Sequence, residues 1–264
     1  MVKAFWKGNI SFGLVSIPVM MAVATRPRHV SFHLLHEKCL TRPRQVLHCE
    51  KDNEYFGIQD TVRGYEYAKG KYIVVSEADL EKVRLKTAHA IEIVAFVESS
   101  EIDPLYYYDA HYLAPEEAGA KPFALLRETL LKTKRVGVAK VTFQREEHLC
   151  CLRPLDDIML LETMHYEHEI VPREELEPPP QKLTAAEMEM AASLVGAMTR
   201  KFEPDAYRDE YQAALQKVIE ARVKGEEVKV SPEIPEAEMA DLMTALKASL
   251  DAAKKKTAAK AATK

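Results

Sequence analysis

The sequence of 264 residues has few of the features that mark an enzyme, a disulfide scaffold or a membrane protein. It has no glycine-rich phosphate loop, no G-x-S-x-G elbow and no H-E-x-x-H zinc pair. Four cysteines in a chain of this length cannot form a disulfide scaffold, which favours a reducing compartment. No run approaches the roughly 20 apolar residues of a membrane span. The absence of catalytic motifs therefore predicts no catalytic activity. A binding function is inferred below from the distribution of charge and from residue patterns.

The chain as a whole also lacks an excess of positive charge, because its net charge is −4. This average conceals a strong asymmetry along the chain. Residues 1–50 carry +5 and residues 121–145 carry +6, whereas residues 146–250 carry −12 and the last 14 residues carry +4. Such a distribution predicts separate surfaces for separate partners, and the basic surfaces suit phosphate.

Short segments rich in Val, Ile, Phe and Leu dominate the first two-thirds of the chain and predict a barrel or sandwich. A secretory signal is an alternative interpretation of the N-terminus, but the alternation of apolar and polar residues favours strands. Helices are predicted after Ser76 and over residues 122–132, with Phe123, Leu126 and Leu130 on one face. The predicted strands cover residues 10–23, 30–35, 71–76, 91–97, 136–143, 148–153 and 158–164.

Three prolines at 178–180 form a stiff segment and mark a predicted domain boundary. A capping box at 184–187 opens a predicted helix to about residue 200, and a second helix is predicted over 204–224. A third is predicted to begin near residue 231. The predicted domains are a core over residues 1–180, a helical region over 181–225 and a helical extension with a basic Lys-rich tail over 226–264.

The most metal-like constellation consists of His36, Cys39, Cys49 and Asp52. Its H-x-x-C and C-x-x-D pairs could fold around one tetrahedral zinc ion, and His48 is an alternative donor. Aspartate is a rarer structural ligand than cysteine, so we favour a polar loop with two free thiols and no cofactor.

Two adjacent cysteines, Cys150 and Cys151, follow His148 and raise the alternative of a thiol nucleophile with a base. The apolar alternation of residues 148–152 instead favours cysteines in the core of a strand. A cysteine-dependent enzyme is therefore a rival class, which alkylation combined with activity assays would test.

Basic side chains with few interleaved acids carry the more useful signal. They predict a surface that follows phosphates, and the alternative is ordinary solvated surface on a scaffold that binds only protein. Few aromatic residues lie among them, so duplex backbone is a better target than stacked single strands. The predicted DNA-binding residues are Lys7, Arg26, Arg28, Arg42, Arg44, Lys132, Lys134, Arg135, Lys140, Arg145, Lys254, Lys255 and Lys256.

Several stretches, in fixed order, resemble the bacterial Ku proteins of non-homologous end joining. The opening segment FWKGNISFGLVSIPV (residues 5–19) carries the closest likeness, and the resemblance is collinear from residue 2 to about residue 224. Separate motifs in one order are more specific than any single motif. Further matching stretches are residues 32–36, 64–67, 101–104, 112–115, 124–128, 145–149 and 207–211.

The resemblance implies an α+β fold: a Ku-type β-barrel core with a dimerising arm, followed by a C-terminal helical region. It implies a homodimeric ring that holds double-stranded DNA ends without catalytic activity, in the bacterial cytoplasm at the nucleoid. It further implies recruitment of DNA ligase D through the C-terminal region, and no membrane partner. One departure is that family members often have C-x-x-C where this chain has Cys49 and Asp52. The predicted ligase-interacting residues are Tyr207, Arg208, Tyr211 and Leu215.

Overall fold

A computed structural model describes residues 3–83, 86–144, 146–176, 179–226 and 243–252. The described chain divides into two compact units, residues 1–28 with 32–173 and residues 29–31 with 174–264. Among the described residues, no helix combines the length and hydropathy that crossing a membrane requires. The strands are β1 Trp6–Phe12, β2 Val15–Val23, β3 Leu47–Cys49, β4 Glu54–Phe56, β5 Gly64–Ala68, β6 Lys71–Val74, β7 Ala90–Glu98, β8 Tyr107–Pro115, β9 Arg135–Phe143, β10 Glu146–Leu155 and β11 Ile158–Met164. The helices are α1 Glu77–Lys82, α2 Ala120–Thr133, α3 Ala185–Met198 and α4 Glu210–Lys224.

Seven strands of the first unit form a closed barrel in the order β1-β2-β8-β11-β10-β9-β7. Neighbouring strands pair antiparallel, except that β1 pairs with β7 in parallel and so closes the barrel. Alternate residues point inward, as in β2, where Ile17, Val19 and Met21 are fully buried. The predicted barrel is therefore confirmed.

The first predicted strand, residues 10–23, is a hairpin of two strands. Its turn contains Gly13, which adopts φ +58, a left-handed conformation that glycine allows at little steric cost. Strand β8 was missed, because its sequence has no Val or Ile and includes Asp109 and His111. The prediction of a strand over residues 30–35 was wrong, since these residues pair with no strand in the described chain and most of them are exposed.

Helix α2 agrees with its prediction and completes the barrel core. Phe123, Leu126 and Leu130 are buried in the same cluster as the inward residues of the strands. The helix ends at Lys134, whose left-handed φ of 53 lets its N–H bond back to the last turn.

Residues 32–83, here called the exposed segment, form two small hairpins and α1. The hairpins are β3 with β4 and β5 with β6, and neither pairs with the barrel. Ser76 caps α1 through the predicted capping box. No described residue of this segment is buried. An isolated two-stranded hairpin is marginally stable in water, so this segment gains little stability from a core of its own.

The second unit contains α3 and α4. Thr184 caps α3 by accepting from the Glu187 N–H, as the sequence predicts. Helix α4 is shorter than predicted, because Asp209 caps it at the Gln212 N–H and residues 204–206 form a separate 3-10 turn. Gly225 ends it with φ +74. Residues 243–252 are helical, whereas residues 227–242 lie outside the described ranges, and the predicted domain limits stay predictions.

A buried histidine on β8 predicts acid sensitivity of the barrel. His111 lies between the rings of Phe5 and Phe143, at centroid distances of 5.5 and 5.4 Å. Its Nδ1 atom is buried with no hydrogen-bond partner in the described chain. Burial is the main cause that lowers the pKa of His111, and nearby Asp109 opposes the shift. The folded barrel therefore disfavours the imidazolium.

The unfolded-state pKa of a histidine is about 6.5, and the folded-state pKa of His111 is lower. Below the unfolded-state pKa, the unfolded chain therefore binds a proton at His111 more readily than the folded chain does. We expect the free energy of unfolding to fall as the pH drops through this range. One such group contributes at most about 1.4 kcal/mol per pH unit. Denaturation followed between neutral and acidic pH should show a shallower decline for His111→Phe. The exposed control His33→Gln should follow the wild type, and parallel profiles for all three proteins would contradict the assignment.

Candidate nucleic-acid interface

Four predicted DNA-binding arginines lie around a chain reversal that follows β2. The reversal is closed because the His36 N–H donates to the Thr41 carbonyl at 2.9 Å, with Leu40 in a left-handed conformation. Two of the arginines precede it and two follow it, and all four are exposed. None forms an ion pair within the described ranges. They are Arg26, Arg28, Arg42 and Arg44.

The charge around this reversal is one-sided. Residues 24–46 contain five basic residues and a single acid, Glu37, which gives a net charge of +4. Lys38, which directly follows Glu37, also lies here and was absent from the predicted set. Exposed guanidinium groups without internal partners are suited to phosphate, because pairing with DNA does not require an existing ion pair to break.

Three predicted DNA-binding residues on the barrel differ from these arginines, because each forms an ion pair with a carboxylate. Lys7 on β1 contacts Glu116 at 2.7 Å, and Arg135 contacts Glu98 at 3.2 Å. Lys140 on β9 contacts Glu147 at 3.4 Å. The structure thus separates these three from the unpaired arginines, a difference that the sequence did not reveal.

The remaining predicted DNA-binding residues fall into two groups. Lys132 and Lys134 are exposed at the C-terminal end of α2, without an ion pair among the described residues. The helix dipole favours cations at this end. Arg145 and the tail residues Lys254, Lys255 and Lys256 lie outside the described residues.

The exposed segment also presents many large apolar side chains, which sequence reasoning did not assign to a site. Tyr65 and Tyr67 alternate along β5 and are 64% and 59% exposed. Their period of two was a usable signal, because it places both rings on one face of the hairpin. Contiguous apolar exposure of this kind is typical of an interface. Other exposed apolar residues of the segment are Phe32, Leu34, Leu35, Leu40, Val46, Tyr55, Ile58, Val62, Tyr72, Ile73, Val74 and Val83.

The predicted zinc ligands occur as two separate pairs. His36 Nδ1 lies 3.1 Å from Cys39 Sγ, and the Cys49 thiol donates to Asp52 at 3.3 Å. A hydrogen bond with Thr41 is the main cause that lowers the pKa of Cys39. The described residues contain no group of three or more possible metal ligands, so the structure does not bring the four together. The preferred interpretation, a polar loop without zinc, stays a prediction, and each pair alone offers too few ligands for a tetrahedral site.

The adjacent cysteines of β10 are core residues, as the preferred interpretation predicted. Both are fully buried. Cys150 donates to the Ala139 carbonyl at 3.3 Å, and His148 stacks on Phe143 at 4.2 Å. Burial raises the pKa of both thiols, that of Cys151 to about 11. A thiol that stays protonated and inaccessible is a poor nucleophile, which argues against the cysteine-enzyme alternative.

We therefore expect at most two thiols per chain to react with a soluble disulfide reagent at mildly alkaline pH, and all four after denaturation. The double variant Cys39→Ser, Cys49→Ser should show no rapid reaction in the native state. This variant tests only accessibility, because both substituted residues lie in the exposed part of the chain. Rapid labelling of a third thiol in the wild type would contradict the burial of the β10 pair.

The four residues predicted to contact a ligase lie just before α4 and in its first two turns. Tyr207 and Tyr211 are 70% and 72% exposed, and Arg208 is also exposed. Leu215 on α4 is half-buried. Tyr207 stacks on Phe202 at 5.6 Å. The structure thus leaves the two tyrosines and the arginine available to a partner.

Comparison with known proteins agrees with the barrel. A family model described as the Ku70/Ku80 beta-barrel domain matches residues 11–191. Curated proteins named "Non-homologous end joining protein Ku" are similar over nearly the whole chain. The relative from Solibacter usitatus is 38% identical over 97% of this chain and 96% of its own length. That from Archaeoglobus fulgidus is 38% identical over 96% and 100%, and that from Bacillus subtilis 34% identical over 95% and 82%. With its closed barrel and this collinear similarity, the chain belongs to the Ku family of non-homologous end joining proteins.

Proposed function

We propose that this protein is a non-catalytic homodimer that encircles double-stranded DNA ends and recruits DNA ligase D for end joining. The names of its relatives support a role in end joining. The observation that carries the proposal is the exposed segment, which has no buried residue in the described chain. Of the four unpaired arginines, Arg42 and Arg44 lie within this segment, and Arg26 and Arg28 lie just before it. We propose an apolar partner for its exposed apolar residues and a phosphate partner for its arginines.

A second copy of the chain is the proposed apolar partner. The exposed segment has two-stranded hairpins with large apolar side chains, and burial of each such side chain contributes about 1.5–3 kcal/mol. If two copies exchange this segment, each copy buries the same surface against the other. Such an interface has two-fold symmetry, the commonest symmetry of homodimers. Each segment would then act as the arm that closes a ring.

Duplex DNA is the proposed polar partner. Arginines without internal carboxylates neutralise phosphates and read no bases, so binding is independent of sequence. A closed ring can be entered only from a free end, which gives preference for linear DNA through topology. Only the inner face of such a ring must be basic, so a net charge of −4 does not oppose it.

The lack of catalytic activity is part of this proposal, and the environments of the cysteines support it. The β10 thiols are buried and protonated. Cys39 contacts His36 and Thr41, and Cys49 contacts Asp52. We assign the chemical step of end joining to the ligase partner. The ligase is proposed to dock on Tyr207, Arg208 and Tyr211, which are all exposed.

Charge introduced on the exposed segment tests the dimer. We expect Tyr65→Asp combined with Tyr67→Asp to sediment as a monomer of 29.9 kDa, because an interface that buries these rings cannot bury unpaired carboxylates. The wild type should sediment at about twice that mass. Linear duplex binding should be lost in the same variant.

Tyr108→Asp is the matched control. Tyr108 is an equally exposed tyrosine on β8 of the barrel, outside the segment. This control should remain dimeric. A Tyr65, Tyr67 double variant that stays dimeric would place the self-interface elsewhere.

A further inference from the structure

An apolar groove of about 520 Å³ lies beside the barrel, between α2 and the β1–β2 hairpin. Leu126 and Leu130 of α2 form its buried floor. Phe12 and Phe96 line it together, with ring centroids 6.2 Å apart and planes at 86°. Its volume falls within the range of about 300–1,000 Å³ that is typical of ligand sites. The groove is separate from the exposed segment and from the arginines that we assign to DNA.

Several apolar side chains along this groove are exposed to solvent. Leu125 on α2 is 70% exposed, and Val15 and Phe96 are both more than 40% exposed. Leu14, at the tip of the adjoining hairpin, is fully exposed. Continuous apolar exposure around a concavity marks an interaction surface. The expected occupant therefore has apolar side chains that enter the groove.

The positive charge at one end of the groove indicates which charged groups the occupant carries. Thr133 and Arg135 line the groove where α2 ends, and exposed Lys132 and Lys134 are their neighbours in the chain. Glu98 pairs with Arg135 but with neither lysine. Lys132 and Lys134 are therefore cations without an ion pair among the described residues, next in the chain to this end of the groove, and they favour carboxylates there.

We propose that the groove binds an acidic peptide segment of a partner protein, with apolar side chains beside Leu125 and carboxylates at Lys132 and Lys134. A duplex is a poorer fit, because DNA offers phosphates to the lysines but no large apolar group to cover Phe96 and Leu125. A short amphipathic helix or an extended strand satisfies both requirements. This inference does not depend on the ring or on the ligase.

The experiment uses the full chain and a phage-displayed library of random peptides. Selection is carried out on the wild type, with counter-selection on Leu125→Asp. We expect enriched peptides to combine at least two large apolar residues with flanking acids. Affinity of a fluorescent enriched peptide should fall at least about tenfold in Leu125→Asp and about threefold or more in Lys132→Glu with Lys134→Glu. The control Leu131→Asp alters an exposed leucine of the same helix that does not line the groove, and it should bind normally.

Several results would overturn the proposal. The first is the absence of enrichment, or enrichment of peptides that still bind Leu125→Asp or that lack acids. A second is a Lys132, Lys134 reversal that leaves peptide binding intact while it weakens duplex binding, since that assigns this end of α2 to DNA. A third is dissociation of the dimer by Leu125→Asp in sedimentation, which would make the groove a contact between copies of this chain.

Discussion

Loss of linear duplex binding by about 100-fold or more is the expected result of reversing four charges near the exposed segment. These side chains have no ion pair within the described ranges, so their full charge is available to phosphate. The slope of log affinity against log salt concentration should also shrink by about 0.9 for each phosphate that the protein no longer neutralises. The changes are Arg26→Glu, Arg28→Glu, Arg42→Glu and Arg44→Glu, measured by gel shift and fluorescence titration at several salt concentrations.

A matched reversal separates position from net charge. It places four glutamates on exposed basic residues of the second unit, which produces the same change in total charge. Its affinity should fall only slightly, because those residues lie in the acidic half of the chain and are not assigned to DNA. An unchanged salt slope in the arginine variant would place the DNA path elsewhere. The control changes are Lys182→Glu, Arg200→Glu, Lys201→Glu and Lys217→Glu.

DNA topology tests the same site without altering the protein. Linear fragments should bind and covalently closed circles of the same length should not, because a closed ring needs a free end to load. Cutting the circle once should restore binding fully. Equal affinity for circles and linear fragments would contradict encirclement and would leave a simple basic surface.

Removal of everything after residue 180 is expected to abolish stimulation of DNA ligase D while duplex-end binding persists. The barrel has its own core from Ile10 on β1 to Leu161 on β11, so its folding does not require the second unit. The helical region instead carries the exposed Tyr207 and Tyr211. Ligation of linear DNA should fall to the rate of the ligase alone. Sedimentation must show that the truncated protein is still a dimer.

Point variants make this result specific to the docking surface. In the full chain, Tyr207→Ala with Tyr211→Ala should remove most of the stimulation, since buried tyrosines dominate many interfaces. Val223→Ala, which alters an exposed apolar residue near the end of α4, should leave it unchanged. A truncated protein that still stimulates the ligase would place docking on the barrel.

Local chemistry determined the parts of the fold that sequence analysis found correctly. Ser76 and Thr184 accept hydrogen bonds from the first turns of their helices, and Gly225 ends α4 in the left-handed region. Each depends on residues within four positions along the chain. The apolar stripe of α2 and the alternation of most barrel strands are equally local signals, and both were predicted.

The short hairpin strands β3, β4 and β5 were missed. Two further errors, at β8 and at residues 30–35, occurred where partners distant in sequence decide the structure. Strand β8 is held between β2 and β11, and this pairing outweighs a composition that contains Asp109 and His111. Residues 30–35 have the composition of a strand but no neighbouring strand in the described chain. Strand formation requires hydrogen bonds to a second strand, which a single segment cannot supply.

The sequence by itself determined the family, six of the seven barrel strands, the principal helices and the two basic regions, because each follows from patterns of neighbouring residues. Only the tertiary structure decided which cations are free. Lys7 meets Glu116 across 109 positions, whereas the four arginines near the chain reversal meet no acid among the described residues. It likewise formed the groove by bringing Phe12, Phe96 and Leu125 together. Ion pairs and grooves form between residues that are close in space but far apart in the chain, and the order of residues along the chain does not show these distances directly.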